Sequence, residues 1–318
     1  MKTILLTHHL MDEGLEELLR TFHVIRPAEG AMHPKEALKL ITQCDAIVPL
    51  AGLRIDRPTI DLAPNLKLIA TYGVGYDHID VPYAHKRGIA VVNTPDAVTE
   101  PTAELAFGLM LSLARRISEL DRKFRDPGHP LPWGVMNNLG ISLFGKIVGI
   151  VGMGRIGQAV ARRALASGMK IVYTQRNRLP EETENLYQAT YLSLEELLLS
   201  SDVISLHAPL TSETRHLLNS DTLKMLKKRA IIVNTARGAL IDEQALTEAL
   251  QRGEINGAAL DVFEHEPHPN PALLTMDNVI LSPHHGTSTI DARLAMNQHL
   301  SRNIIHFFNG SGPVSYVK

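Results

Sequence analysis

Three short segments late in the chain, NTARG at 234–238, FEHEP at 263–267 and SPHHG at 282–286, place Arg237, Glu266 and His284 just after apolar runs. An arginine offers a planar donor fork that matches a carboxylate and can polarise a neighbouring carbonyl. An imidazolium can protonate a developing alkoxide. A carboxylate beside that imidazole orients it and favours its charged form. Taken singly, each residue type has an ordinary structural use: a surface ion pair for Arg237, solvation for Glu266, core packing for His284. Jointly, at successive strand ends of an open α/β sheet, they sit where such sheets bind ligands. No GxSxG elbow or comparably placed nucleophile accompanies them, which disfavours serine-hydrolase chemistry.

A second motif supplies the context. In GIVGMGRIGQAVA, Gly152, Gly154 and Gly157 stand in GxGxxG register directly after an apolar strand and at the opening of a helix. The first glycine permits a tight turn, the second lets a pyrophosphate reach the backbone, and the third allows close helix-sheet packing. The alternative is three packing glycines in another α/β loop. About twenty residues on, where a carboxylate normally accepts the ribose hydroxyls of NAD, the chain has Gln175, Arg176, Asn177 and Arg178. The missing acid and the guanidinium groups favour NADP(H), with NAD(H) second; Arg176 would pair with the 2'-phosphate, and Arg178 would add attraction if it turned inward. Solubilising surface arginines are the competing use. A nicotinamide cofactor beside Arg237, Glu266 and His284 suits hydride delivery to a 2-keto acid, whose oxygen gains charge and then a proton.

The elements that must hold these residues follow from periodicity. Over residues 1–99, apolar runs at 3–7, 23–26, 46–50, 66–71 and 89–92 alternate with helical patterns at 12–19 and 34–41. This predicts a parallel sheet covered by helices on both faces. Leu105, Leu109, Leu113, Ile117 and Leu120 predict one long helix over about 100–122, bridging two domains, with Pro101 tolerated in its first turn. The Pro-, Gly- and Asn-rich stretch 126–140 reads as irregular. Runs at 147–151, 171–174, 203–207, 230–234, 258–260 and 279–282 form a second strand series. Ser193 and Glu196 have capping-box spacing, and Asp242 precedes a further helix. A last helix, 289–308, is expected to return onto residues 1–99.

A length of 318 residues suits two domains better than one core. Hydrophobic residues make up 44% and charged residues 21%, which excludes the disordered and membrane classes. With 32 basic against 34 acidic residues, no strong field attracts nucleic acid or anionic lipid. Cys44 is the sole cysteine, so no intrachain disulfide or all-cysteine metal site can form. The N-terminal apolar run soon meets His8, His9, Asp12 and Glu13, too early for a signal peptide, and no run approaches a membrane span. The expected location is the cytoplasm. His8, His9, His78, His216, His265 and His306 lack a metal-ligand context and read as surface or packing residues, and no metal is expected.

The ordered motifs YGVGYDHID, VTEPTAELA, VGMGRIG, HAPLT, NTARG, DVFEHEP and SPHHG span nearly the whole chain. Together they resemble the D-2-hydroxyacid dehydrogenase family, which includes glyoxylate/hydroxypyruvate reductases, 2-ketogluconate reductases, phosphoglycerate dehydrogenase and D-lactate dehydrogenase. The resemblance implies an α/β fold of two Rossmann-like or flavodoxin-like parallel-sheet domains with an active-site cleft between them, closing to exclude water. Residues 1–99 plus 288–318 would bind substrate, and 100–287 would bind the nicotinamide dinucleotide. It implies that Arg237, Glu266 and His284 are catalytic, that His285 adjoins the pocket, and that Val74 and Gly75 offer backbone N–H groups to the substrate carboxylate. Gly73 and Gly75, flanking Val74, suit that exposure, though an ordinary turn would use them too. Asp77, His78 and Asp80 would cap or pair locally. Thr102, Arg155, Ile156, His207, Pro209, Thr235 and Asp261 would line the cofactor site.

A homodimer is also implied, with Trp133 at that contact, at a neighbouring active site, or anchoring a local core. The expected substrate is a small 2-keto acid such as glyoxylate or hydroxypyruvate, with 2-ketogluconate second; the loop 49–52 and Trp133 would face its distal group. A formate dehydrogenase is disfavoured because it would carry a neutral amide at Glu266. The chain leaves no room for the regulatory domain common in phosphoglycerate dehydrogenases. A dinucleotide-sensing interaction protein, similar to the C-terminal-binding corepressors, is the alternative from another class.

Overall fold

Short runs of Ile, Leu, Val and Ala without polar alternation can be covered on both faces, and the chain uses them as parallel strands. The computed structural model describes every residue except Ala51, His129 and Lys318. The chain divides into two compact units, Met1–Val98 with Thr287–Lys318, and Thr99–Gly286. The first holds β1 (Thr3–Leu6), β2 (His23–Ile25), β3 (Ala46–Val48), β4 (Leu68–Ala70) and β5 (Ala90–Val92), in the order β2-β1-β3-β4-β5. The second holds β6 (Ile147–Val151), β7 (Lys170–Thr174), β8 (Ala189–Tyr191), β9 (Val203–Leu206), β10 (Ile231–Asn234), β11 (Gly257–Leu260) and β12 (Val279–Leu281), in the order β12-β11-β10-β9-β6-β7-β8. Both sheets pair in parallel throughout. The edge strand β8 had no counterpart in the periodicity, since three residues are too few to show one.

In the first unit, Ile4, Leu6, Val48 and Leu68 pack with Leu300, Ile304 and Ile305 of the helix Ile290–Asn309. Thr289 caps that helix by accepting from the Ala292 amide, and Gly310 ends it in a left-handed conformation. Buried Asn297 pins its position, donating to the Met11 and Glu13 carbonyls at 3.0 and 2.9 Å and accepting from the Tyr72 hydroxyl at 2.8 Å. Among the described residues no helix is long and apolar enough to cross a membrane.

In the second unit, the helix Thr99–Ala114 buries Ala103, Ala106 and Met110 against Ala159, Val160 and Ala164 of the helix Arg155–Ala166. Small residues on both sides let the two backbones approach closely. The expected single helix over 100–122 is broken: it ends at Ala114, Arg116 turns to φ 56°, and a second helix runs Ile117–Phe124. The Ile141 amide occupies the Ala114 carbonyl at 2.8 Å, and Gly140 lies so close that a Cβ there would sit 2.5 Å from the same oxygen. Arg116 forks onto Glu119 at 2.7 Å through two nitrogens, fixing the new start. The leucine spacing runs unaltered across the break and so could not report it.

Candidate active site

From β6 the chain moves outward to β7 and β8, then returns to β9 on the other side of β6. Strand order therefore reverses between β6 and β9, where an open α/β sheet leaves a crevice at its carboxyl edge. Gly152 turns there with φ 92°, and a Cβ would meet the Ala208 amide and the His207 carbonyl at 2.7–2.8 Å. A Cβ on Gly157 would lie 2.3 Å from the Gly152 oxygen. Gly154, by contrast, has nothing within 4 Å of where its Cβ would stand. The outer two glycines answer to packing and the middle one faces open space. Arg155 is exposed and Ile156 half-buried in the first turn of the helix that follows, whose start is the positive end of the helix dipole.

Other groups ring this crevice. The Thr235 hydroxyl is buried without a hydrogen-bond partner. Burial holds the His207 imidazole down to about 4, so it is neutral near pH 7, and its Nε2 is 2.7 Å from the Ser205 hydroxyl. Pro209 follows on the same loop and accepts from Thr214. Thr102 and the Asp261 carboxylate both approach Gly286, each 3.4 Å from its Cβ position. An orphaned hydroxyl, an open glycine and a helix start together fit a dinucleotide.

On the far side of β7, the Gln175 amide is tied back, accepting from the Met153 amide at 3.0 Å and donating to the Asn177 carbonyl at 2.7 Å. The inward turn that would let Arg178 add attraction is not taken. Arg178 forks onto Glu184 at 2.9 and 2.8 Å and lies over the Tyr191 ring. Glu184 also accepts from the buried Tyr173 hydroxyl at 2.6 Å. The Arg178 and Tyr173 hydrogen bonds lower the Glu184 carboxyl to about 2, so the pair is charged and self-contained at neutral pH. Arg176 and Asn177 remain exposed at the strand end.

At the ends of β10, β11 and β12, Arg237, Glu266 and His284 are brought together. Buried Asn234 shapes the turn below Arg237 by accepting from the Ala236 amide at 3.0 Å and donating to the Arg237 carbonyl at 2.9 Å. Gly238 then presses on the Phe263 main chain, where a Cβ would lie 1.9 Å from the carbonyl carbon. Only glycine lets the Arg237 turn lie against the segment bearing Glu266. Glu266 Oε2 meets His284 Nδ1 at 2.8 Å, and Oε1 accepts from the Phe263 amide at 3.3 Å. Burial pushes the Glu266 carboxyl up, but the His284 hydrogen bond and charge, the Phe263 amide and the Arg237 charge outweigh it and hold the group below its usual range. Glu266 is thus an anion at neutral pH.

His284 has a left-handed backbone, φ 50°, fixed by its own amide donating to the Asp261 carbonyl at 2.8 Å. The Asp261 side chain, 1% exposed, accepts from Ser282, from the His285 amide and from the Gly286 amide at 2.6–3.0 Å. It therefore templates the loop that presents His284. His285 itself turns its Nδ1 to within 3.1 Å of Asp261.

In the first unit, Gly73 has φ 138°, and no hydrogen bond of the Val74 or Gly75 amide occurs among the described residues. Asp80 caps the helix Val81–Lys86. In the loop 49–52, Leu50 is held by Thr7, while Ala51 lies outside the described residues, as does His129 in the irregular stretch. Trp133 is 89% exposed, so it anchors no local core. His216, expected at the surface or in packing, instead bonds Glu264. Asn234, Gly238 and Glu264 received no role in the sequence reading; only the short NTARG and FEHEP runs marked their neighbourhood.

A glycine-turned crevice at the strand-order reversal, with an arginine, a carboxylate and an imidazole at the adjoining strand ends, defines an oxidoreductase of the NAD(P)-dependent kind. Residues 107–286 match the family model described as D-isomer specific 2-hydroxyacid dehydrogenase, NAD binding domain. The chain is 44% identical over 318 residues to a glyoxylate reductase of Thermococcus kodakarensis, covering 99% of this chain and 95% of that one. The crystal structure of the TT0316 protein from Thermus thermophilus superposes with a TM-score of 0.91 at 42% identity, covering 99% and 100% of the two chains. An NADPH-dependent glyoxylate/hydroxypyruvate reductase from Sinorhizobium meliloti, solved with NADP and malonate, gives 0.86 at 33% identity, covering 99% and 96%. The protein belongs to the D-isomer specific 2-hydroxyacid dehydrogenase family.

Proposed function

We propose that the protein is an NADPH-preferring reductase of glyoxylate or hydroxypyruvate that forms the D-alcohol where the product is chiral. The observation that carries the chemistry is the 2.8 Å contact between His284 Nδ1 and Glu266 Oε2. With Nδ1 engaged, Nε2 is left to give its proton to the developing alkoxide, and the Glu266 anion favours the imidazolium that does so. Arg237 holds the substrate carboxylate and polarises the ketone. The Val74 and Gly75 amides are the proposed additional donors to that carboxylate. The Gly152–Gly157 turn and the helix start would hold the pyrophosphate, with Thr235, His207, Thr102 and Asp261 around the rest of the cofactor. When bound, the reduced nicotinamide supplies the hydride to the carbonyl carbon.

NADPH is favoured because no carboxylate stands at Gln175 to repel a 2'-phosphate, and Arg176 is exposed beside it while Arg178 is committed to Glu184. The S. meliloti relative, described as NADPH-dependent, supports this choice. A homodimer through the second unit is the proposed assembly, since Trp133, Val135, Met136 and Leu139 expose a run of large apolar side chains there.

Initial rates with NADPH or NADH against glyoxylate, hydroxypyruvate and 2-ketogluconate, with chiral analysis of products, test the proposal. The expected outcome is higher kcat/KM with NADPH. Loss of the Arg176 charge in Arg176→Ala should cost about tenfold or more with NADPH and far less with NADH, and Arg178→Ala should leave the ratio nearly unchanged. A preference for NADH with an equal Arg176→Ala effect on both cofactors would overturn the cofactor assignment. Turnover of 2-ketogluconate alone would overturn the substrate assignment, and an L-product the stereochemical one.

A further inference from the structure

Glu266 has few restraints of its own. Besides meeting His284, its carboxylate takes a long 3.3 Å bond from the Phe263 amide, so its aim depends on where the segment 263–270 is held. That segment is tied down at both ends. Glu264, whose side chain is 12% exposed, accepts from His216 Nε2 at 2.6 Å and from Arg215 at 2.9 Å. Glu243 accepts from the Glu264 amide at 3.0 Å and from the Asn270 amide at 2.5 Å, while its own amide points to the Glu264 carboxylate at 3.4 Å.

His216 also reaches the other catalytic turn. Its amide donates to the Ala239 carbonyl at 2.8 Å, two residues beyond Arg237. To do both, it adopts φ 51°, a left-handed conformation that is strained for a non-glycine residue and persists only when its surroundings demand it. One residue therefore grips the Arg237 turn through its main chain and the Glu266 segment through its imidazole, on either side of the Gly238–Phe263 contact.

We propose that His216 is a positioning residue for the reaction, holding Glu266 against His284 by way of Glu264 and steadying the Arg237 turn through its amide. The inference rests on the roles proposed above for Glu266 and Arg237. The charged groups around the imidazole are Glu264, Arg215 on the same carboxylate, and Glu243 beyond it.

The test compares the full-length variants His216→Ala, His216→Gln, Glu264→Gln, Glu266→Gln and the double variant His216→Ala/Glu266→Gln. Keto-acid kcat and KM are followed across pH, with dinucleotide Kd measured by fluorescence and Tm by calorimetry. His216→Ala should lower kcat about tenfold, the scale of a sub-ångström misplacement. It should also move the alkaline loss of reduction to lower pH, as Glu266→Gln should, with dinucleotide Kd unchanged. His216→Gln, whose amide can reach Glu264 with a donor and cannot titrate, should restore both kcat and the profile. The double variant should shift no further than Glu266→Gln alone.

A lowered Tm with wild-type kcat and pH profile in His216→Ala would reduce the residue to a structural one and overturn the proposal, as would a folded His216→Gln that fails to rescue. If His216→Ala does not fold, Glu264→Gln breaks the same charged contact with less disturbance; it should shift the profile in the same direction, and no shift would overturn the proposal. An unaltered profile in Glu266→Gln would instead remove the proposed role of Glu266, and the positioning role with it. A normal Glu266→Gln shift beside an unshifted His216 variant would sink the positioning role alone.

Discussion

Gly154 and Gly157 differ by three positions yet should fail in opposite ways. At Gly154 a methyl meets nothing within 4 Å, and the residue precedes the helix with an ordinary φ of −75°, so Gly154→Ala should fold. As an N-cap change it should cost no more than about 1 kcal/mol. At Gly157 the methyl would stand 2.3 Å from the Gly152 oxygen, a main-chain atom that cannot step aside. Overpacking of that kind costs roughly 1–3 kcal/mol, or roughly 2–10 °C of Tm for a domain of this size.

Cofactor reverses the ranking. At a hundred times its Kd, NADPH should stabilise the wild type by about 2.7 kcal/mol, whereas a hundredfold weaker site gains only about 0.4 kcal/mol at the same concentration. Calorimetric melts with and without NADPH should therefore show a rise of roughly 5–10 °C for the wild type and about 1 °C for Gly154→Ala. Gly157→Ala should melt early even without ligand. A wild-type NADPH shift in Gly154→Ala would show that the open space beside Gly154 is not where the dinucleotide lies. An undiminished Tm in Gly157→Ala would refute the close helix-sheet approach.

On the roles proposed above, reduction should fall on the alkaline side; because Glu266 is held below its ordinary range and is anionic throughout the neutral region, Glu266→Gln should move that fall to lower pH in single-turnover hydride-transfer rates. Burial that lowers His207 to about 4 means the unfolded chain takes the proton first. Stability is then complete above about 6.5 and declines as pH falls towards 4, by at most about 3 kcal/mol; urea melts of wild type and His207→Asn at both ends of that window should differ by this slope. Asn234→Ala removes the acceptor of the Ala236 amide and one of the donors to the Arg237 carbonyl, so it should cost about 1 kcal/mol and raise the keto-acid KM more than the dinucleotide KM.

What the chain alone determined is what neighbours in sequence control. Apolar runs without alternation define parallel strands because each needs cover on both faces, and β6, β7, β9 and β10 lie where such runs fall. Ser193 and Glu196 cap a helix because both partners lie within one turn. The spacing of Gly152, Gly154 and Gly157 after a strand and before a helix already carried the division between turn, open space and packing. Contacts made in space decided the rest. Whether Arg178 could join Arg176 at the strand end was open in the sequence, and only the fold, by holding Glu184 against the Tyr173 hydroxyl, commits Arg178 to an ion pair and leaves Arg176, among the described residues, without one there. The long helix stops at Ala114 because residues 140–141 return onto the Ala114 carbonyl, an event that leaves the leucine spacing untouched. His216 reads as one more histidine until the chain folds Glu264 and Ala239 onto it. Electrostatics and close packing act through space, so a partner dozens of residues away leaves no mark on local periodicity.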